Sequence, residues 1–171
     1  MWAKSIFDNA CTHGFHAGSR PDSHWLTMVM TEVAEIVEAD RKKKHALFVI
    51  FEQDEARFPS CFVKNFEETI KSTIEDEFAD VVIRLLDFAY EKFGEKMVWS
   101  EYFPETPHSR SVTENAWYMV KHVMGGDEMD IMSAIHYIYA WADTLGIELE
   151  RHILMKMKYN VERPYLHGKE Y

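Results

Sequence analysis

Two pairs of carboxylates stand out in the chain: Glu32-Val-Ala-Glu35 and Glu77-Phe-Ala-Asp80. In each pair the acids lie three residues apart, so on a helix both project from one side, about one turn apart. With Trp25 at zero and ~100° per residue, Glu32 falls about 20° from Trp25, inside an apolar stripe of Val29, Val33 and Ile36. Glu35 lies at the edge of that stripe. Glu77 falls about 20° from Phe88 on its own stripe, flanked by Asp80 and Arg84. A carboxylate facing a helical core must be protonated, paired or coordinated, because burying it alone is costly. Four acids gathered from two helices would repel one another and hold raised pKa values unless a cation sat between them. Hard oxygen donors in that number suit Mg²⁺, with Mn²⁺ as a substitute. The competing reading is plain surface charge. The chain has 29 acidic residues, and Glu35-Ile-Val-Glu38 repeats the same spacing by composition alone.

The elements that would position these acids are helices. A short helix within residues 1–20 and a turn at Gly18–Pro21 precede a long helix, capped by Asp22 or Ser23, that runs to about Lys44. Phe48–Glu55 and Phe62–Thr69 read as short helices around Phe58-Pro59-Ser60. Ser72 with Glu75 three residues on has capping-box spacing and opens a helix over Thr73–Phe93, ended by Gly94. Residues 95–111 read as a loop. Further helices are predicted over Thr113–Met124, from the cap Asp127 to Leu145, and over Glu148–Glu162, where Pro164 follows. No segment alternates as a strand does. The expected fold is all-α, a helical bundle forming one domain over residues 1–171.

Composition bounds the partners. With 19 basic against 29 acidic residues the formal charge is −10, which argues against a nucleic-acid polymer, since that needs a basic stripe. A small anion remains compatible if a divalent cation bridges it to the acids. Apolar residues make up 47 %, enough for a core without disulfides, and Cys11 and Cys61 fit no disulfide framework. No basic segment followed by an apolar core opens the chain, and no apolar run reaches the ~18 residues of a membrane span. These features predict a cytoplasmic location without membrane contact. Cys11, His13 and His16 lack a fourth zinc ligand. A ferritin-like di-iron site needs Glu-x-x-His on core helices, and the only such spacing, Glu105 to His108, sits in a loop segment with Pro104 and Pro107.

At its motifs the sequence resembles the MazG-like branch of the all-α NTP pyrophosphatases, which carries ExxE on one helix and ExxD on a later one. Met30-Thr-Glu-Val-Ala-Glu-Ile-Val-Glu38 is similar to the first motif and Glu75-Asp-Glu-Phe-Ala-Asp-Val-Val-Ile83 to the second. Lys156-Met-Lys-Tyr-Asn160-Val-Glu-Arg163-Pro164 is similar to the closing K-x-x-x-N-x-x-R stretch. The resemblance implies Mg²⁺-dependent hydrolysis of a nucleoside triphosphate to monophosphate and pyrophosphate, with Glu32, Glu35, Glu77 and Asp80 as metal ligands. It implies Glu35, or failing that Glu38, as the proton acceptor. Lys156, Asn160, Arg163 and Lys169 would contact the substrate, and the assembly would be a homodimer or homotetramer. Two departures accompany it. The 41 residues between Glu35 and Glu77 exceed the family's usual connection, and Thr31 stands where many members have a further glutamate. The non-enzymatic alternative is a helical interaction or regulatory protein.

Overall fold

The computed structural model describes residues 2–96, 107 and 111–168. The described residues form eight α-helices and no strand: α1 (Trp2–Thr12), α2 (Asp22–Arg41), α3 (Phe48–Arg57), α4 (Phe62–Thr69), α5 (Ile74–Phe93), α6 (Val112–Gly125), α7 (Glu128–Thr144) and α8 (Leu149–Val161). The all-α reading holds. Most of the loop expected at 95–111 lies outside the described residues.

Helix α5 is the axis of the bundle, touching α1, α2, α7 and α8. Its apolar residues form one broad stripe: Phe78, Val81, Val82, Leu85 and Phe88 fall within an arc of about 120° and are all buried. The opposite face carries Asp76, Asp80, Arg84 and Asp87, and because Asp76 and Asp87 are buried too, the helix sits inside the bundle rather than at its surface. Trp141 of α7, fully buried, meets Phe78 edge to face at 4.7 Å. No helix among the described residues is long and apolar enough to cross a membrane.

The segment between the two acidic motifs folds as α3, a 3-10 turn at Pro59–Cys61, and α4. It builds a second, smaller core of Phe51, Phe62, Phe66 and Ile70 on Tyr159 of α8. The two ends of the segment are tied together: Ile74 N–H donates to the Lys44 carbonyl at 3.0 Å, and Lys44 Nζ to the Lys71 carbonyl at 2.8 Å. The long connection therefore leaves α5 beside α2, as a short one would.

Two caps differ from expectation. Thr73, not Ser72, caps α5: its hydroxyl accepts from Asp76 N–H at 3.3 Å, while Asp76 Oδ2 accepts from Ser72 N–H at 2.9 Å. Glu75 instead reaches across to Ala46 N–H at 2.9 Å. The N-cap of α2 is Pro21, with no side-chain cap, and Asp22 pairs with Lys92. Ser111 and Glu114 form a complete capping box on α6, and Asp127 caps α7 as expected.

Candidate metal and anion site

Helices α2 and α5 bring Glu32, Glu77 and Asp80 together, each offering an oxygen within 4.8 Å of the others. Among the described residues no other trio of acids, histidines and cysteines converges in this way. Glu32 is buried and accepts from Arg84 Nε at 3.0 Å. Glu77 is 3 % exposed, and its Oε2 has no hydrogen-bond partner. Asp80 receives Lys156 Nζ at 2.6 Å. The same ammonium donates to both oxygens of Asp76, each at 2.9 Å, and is itself 4 % exposed.

The electrostatics follow from this crowding. Burial, then the charge of Asp80, raises Glu32 to about 7 against the opposing pull of Arg84. Burial and the charges of Asp80 and Asp76 push Glu77 up to about 9. Burial raises Asp76 to about 6, although Lys156 pulls it down. Burial alone would lower Lys156, but Asp80 and Asp76 outweigh it and hold its proton on more firmly. The cluster is short of positive charge. One cation, Lys156, and one guanidinium, Arg84, face four acids of which three resist ionisation.

The cluster lines a cavity of about 470 Å³, within the range of small-molecule sites. Glu35 lies on its wall, exposed to it, outside the trio. Lys156, Asn160 and Arg163 also line it. Lys156 has its ammonium committed to Asp76 and Asp80. Asn160 is buried with Oδ1 unpartnered. The Arg163 guanidinium lies 5.7 Å from the Tyr159 ring centroid and has no carboxylate partner among the described residues. Glu38 is not brought in: it is exposed on the outer face of α2, paired with Lys42 at 3.0 Å and Arg41 at 3.5 Å. Lys169 lies outside the described residues. Trp25 is core, stacked on His16 at 4.7 Å, and does not line the cavity. His13 uses both ring nitrogens on backbone carbonyls, at Asn9 and Arg163, so it is no zinc ligand.

Asp76 and Asp87 belong to the site although the motif spacing does not mark them. Asp76 sits four residues before Asp80 on the same face, and its Thr73-x-x-Asp76 spacing is a capping signature in its own right. Asp87, two turns beyond Asp80, is buried and accepts from His16 Nε2 at 2.9 Å. His16 is 71 residues away in sequence, and only the fold joins the two.

The segment after α8 closes one side of the cavity. Leu166 N–H donates to the His13 carbonyl at 2.8 Å, and His167, a lining residue, meets Phe15 edge-on at 4.9 Å. Tyr165 lies directly on Gly14, whose φ is +83° and where a Cβ would come within 2.2 Å of the ring. Gly14→Ala is therefore expected to destabilise the fold by about 1–2 kcal/mol from the left-handed backbone alone. It should also release Tyr165. Urea unfolding and tyrosine fluorescence check both effects, and an unchanged midpoint would mean that neither the left-handed backbone nor the Tyr165 contact costs energy in the variant.

No family model, curated protein or solved structure matches the chain.

Proposed function

We propose that the chain is a nucleoside triphosphate pyrophosphohydrolase that uses Mg²⁺. One observation carries the reading: acids from two motifs, two of them buried, converge beside a cavity that Asn160 and Arg163 also line. The resemblance of the three motifs supports the same reading from sequence.

The residues present fit a hard divalent cation. The donors are all carboxylate oxygens, and Glu77 Oε2 is buried without a partner, which a ligand would satisfy. Glu32, Glu77 and Asp80 would hold the ion, with Glu35 at the cavity face. When bound, Mg²⁺ supplies neutralisation of phosphate charge and acidification of water. The side chains divide the remaining tasks. Arg84 and Lys156 hold Glu32 and Asp80 in place, so both act as positioning cations. Lys156 thus serves the triphosphate indirectly, by fixing Asp80. Arg163 offers two parallel N–H groups to phosphate oxygens. Asn160 lines the same cavity, and its buried carbonyl oxygen has no partner. Glu35 accepts the proton from the attacking water as the bridge between the α and β phosphates breaks and pyrophosphate leaves.

The test is a panel of ribo- and deoxynucleoside triphosphates with Mg²⁺, with pyrophosphate and orthophosphate measured separately. Pyrophosphate is expected, falling at least about 100-fold in Glu35→Gln if that residue is the base. Orthophosphate would contradict the bond assignment. Undiminished turnover in Glu32→Gln would remove the proposed ligand set.

A further inference from the structure

The cavity has two chemically different ends. One holds Glu32, Glu77, Asp80 and Lys156. The other is built by α1, Phe15 and the second half of α5, where Ile6, Ala10, Phe15 and Ile83 give apolar walls. Into this second end open Ser5, Asn9 and Asp87. The side chains of Ser5 and Asn9 make no hydrogen bond among the described residues. Asp87 engages Oδ1 with His16, and its Oδ2 makes no hydrogen bond among the described residues. Apolar walls with a few uncommitted polar groups are the anatomy of a site for a flat, polar-edged ring.

Spacing ties the two ends together. Seven residues of helix separate Asp80 from Asp87, roughly 10 Å along the axis, the scale of a nucleoside. Arg84 stands between them, bonded to Glu32 and 6.0 Å from the Phe15 ring centroid. His16 fixes Asp87 in turn. Its ring is stacked on Trp25 and tilted against Phe7 at 4.7 Å, so the carboxylate it donates to cannot swing freely.

We propose that this end of the cavity receives the nucleobase, and that Asp87 selects bases bearing an exocyclic amino group over uracil and thymine. The proposal rests on the pyrophosphohydrolase reading and names the substrate class of that site. A carboxylate only accepts hydrogen bonds. Adenine, cytosine and guanine each offer it an N–H₂ group. Uracil and thymine offer a single ring N–H flanked by two carbonyl oxygens, which would be driven against the carboxylate. Asn9 can donate or accept at the neighbouring ring atom. His16 is a positioning residue.

Relative kcat/KM values for ATP, CTP, GTP, UTP and dTTP, with calorimetric binding of the uncleaved α,β-imido analogues, test this. The wild-type protein is expected to favour at least one amino-bearing base over UTP and dTTP by about 10-fold or more. Asp87→Asn keeps an oxygen for His16 and turns an N–H₂ donor to the cavity, so the ranking should invert toward UTP and dTTP. Asn9→Ala should weaken binding a few-fold without inversion, a second variant that leaves the His16 pair intact. Equal use of all bases by the wild type, or an unchanged ranking in folded Asp87→Asn, overturns the proposal. If no triphosphate is cleaved to pyrophosphate, the pyrophosphohydrolase reading fails on its own, and the ranking of bound analogues still decides the role of Asp87. Binding of none overturns both.

Discussion

Replacing Glu77 by glutamine is expected to raise the melting temperature of the metal-free protein at pH 8 while abolishing pyrophosphate release. The carboxyl of Glu77 is 3 % exposed, has one oxygen without a partner, and is pushed up to about 9. In the unfolded chain it ionises near about 4.3. Between those two values folding must take up a proton, so stability falls as pH rises through the window and the penalty vanishes at its acid end. Glutamine has the same shape and no charge, and escapes the penalty. The gain at pH 8 should be on the order of 2 kcal/mol, worth roughly 4–8 °C for a chain of this size. At pH 4.5 the gain should be close to zero. Loss of stability at both pH values would mean that Glu77 is a structural acceptor rather than a vacant ligand.

The same variant discriminates ligand from surface charge. A cation that binds only the folded state stabilises it by about 2.7 kcal/mol at a hundred times its dissociation constant. The wild-type melting temperature should therefore rise in ~5 mM Mg²⁺, and more at pH 8 than at pH 6, because protons compete for the ligand oxygens. Glu77→Gln should show little of this rise. No Mg²⁺ response in the wild type would favour the non-enzymatic helical protein.

Helical period carried most of the fold because the apolar stripes of α2 and α5 are long and their acids interrupt them at fixed angles. The same arithmetic placed Glu32 and Glu77 inward, whereas Glu38, the alternative proton acceptor, is found away from the cavity and paired with Lys42 and Arg41. The cap of α5 was ambiguous for a local reason. Ser72-x-x-Glu75 and Thr73-x-x-Asp76 have identical spacing, and the choice was decided by Glu75 finding Ala46 across the fold. Partners distant in sequence were not legible. Periodicity puts Lys156 on a face of α8, yet nothing local says that this face meets Asp76 and Asp80. Likewise nothing near His16 announces Asp87. The helices α3 and α4 were legible but not what they pack on, because Tyr159, on which their core closes, is supplied by α8.

Lys156→Met is expected to be the most damaging single change at neutral pH. Methionine fills much the same volume on an unbranched stem, so the loss is one of charge rather than packing. Removing one member of a buried ion pair typically costs about 3–5 kcal/mol, because the partner is left charged and uncompensated. Here one ammonium faces two carboxylates, within 2.9 Å of Asp76 and 2.6 Å of Asp80. Asp76 already stands at about 6 with Lys156 pulling it down; without that pull, burial and the charge of Asp80 act unopposed and raise it further. A carboxyl whose folded pKa is raised loses stability as pH climbs from its unfolded value, so the deficit should be large at pH 8 and shrink toward pH 5. Lys156 itself holds its proton throughout that window, in the folded and the unfolded chain alike, and adds no pH dependence there. Urea unfolding of the two proteins at pH 5 and pH 8 measures the difference. Adding Asp76→Asn to Lys156→Met should restore part of the loss at pH 8, since it removes the stranded charge, and should restore less at pH 5. An equal deficit at both pH values, or no rescue by the second substitution, would show that the loss does not come from a charge stranded on Asp76.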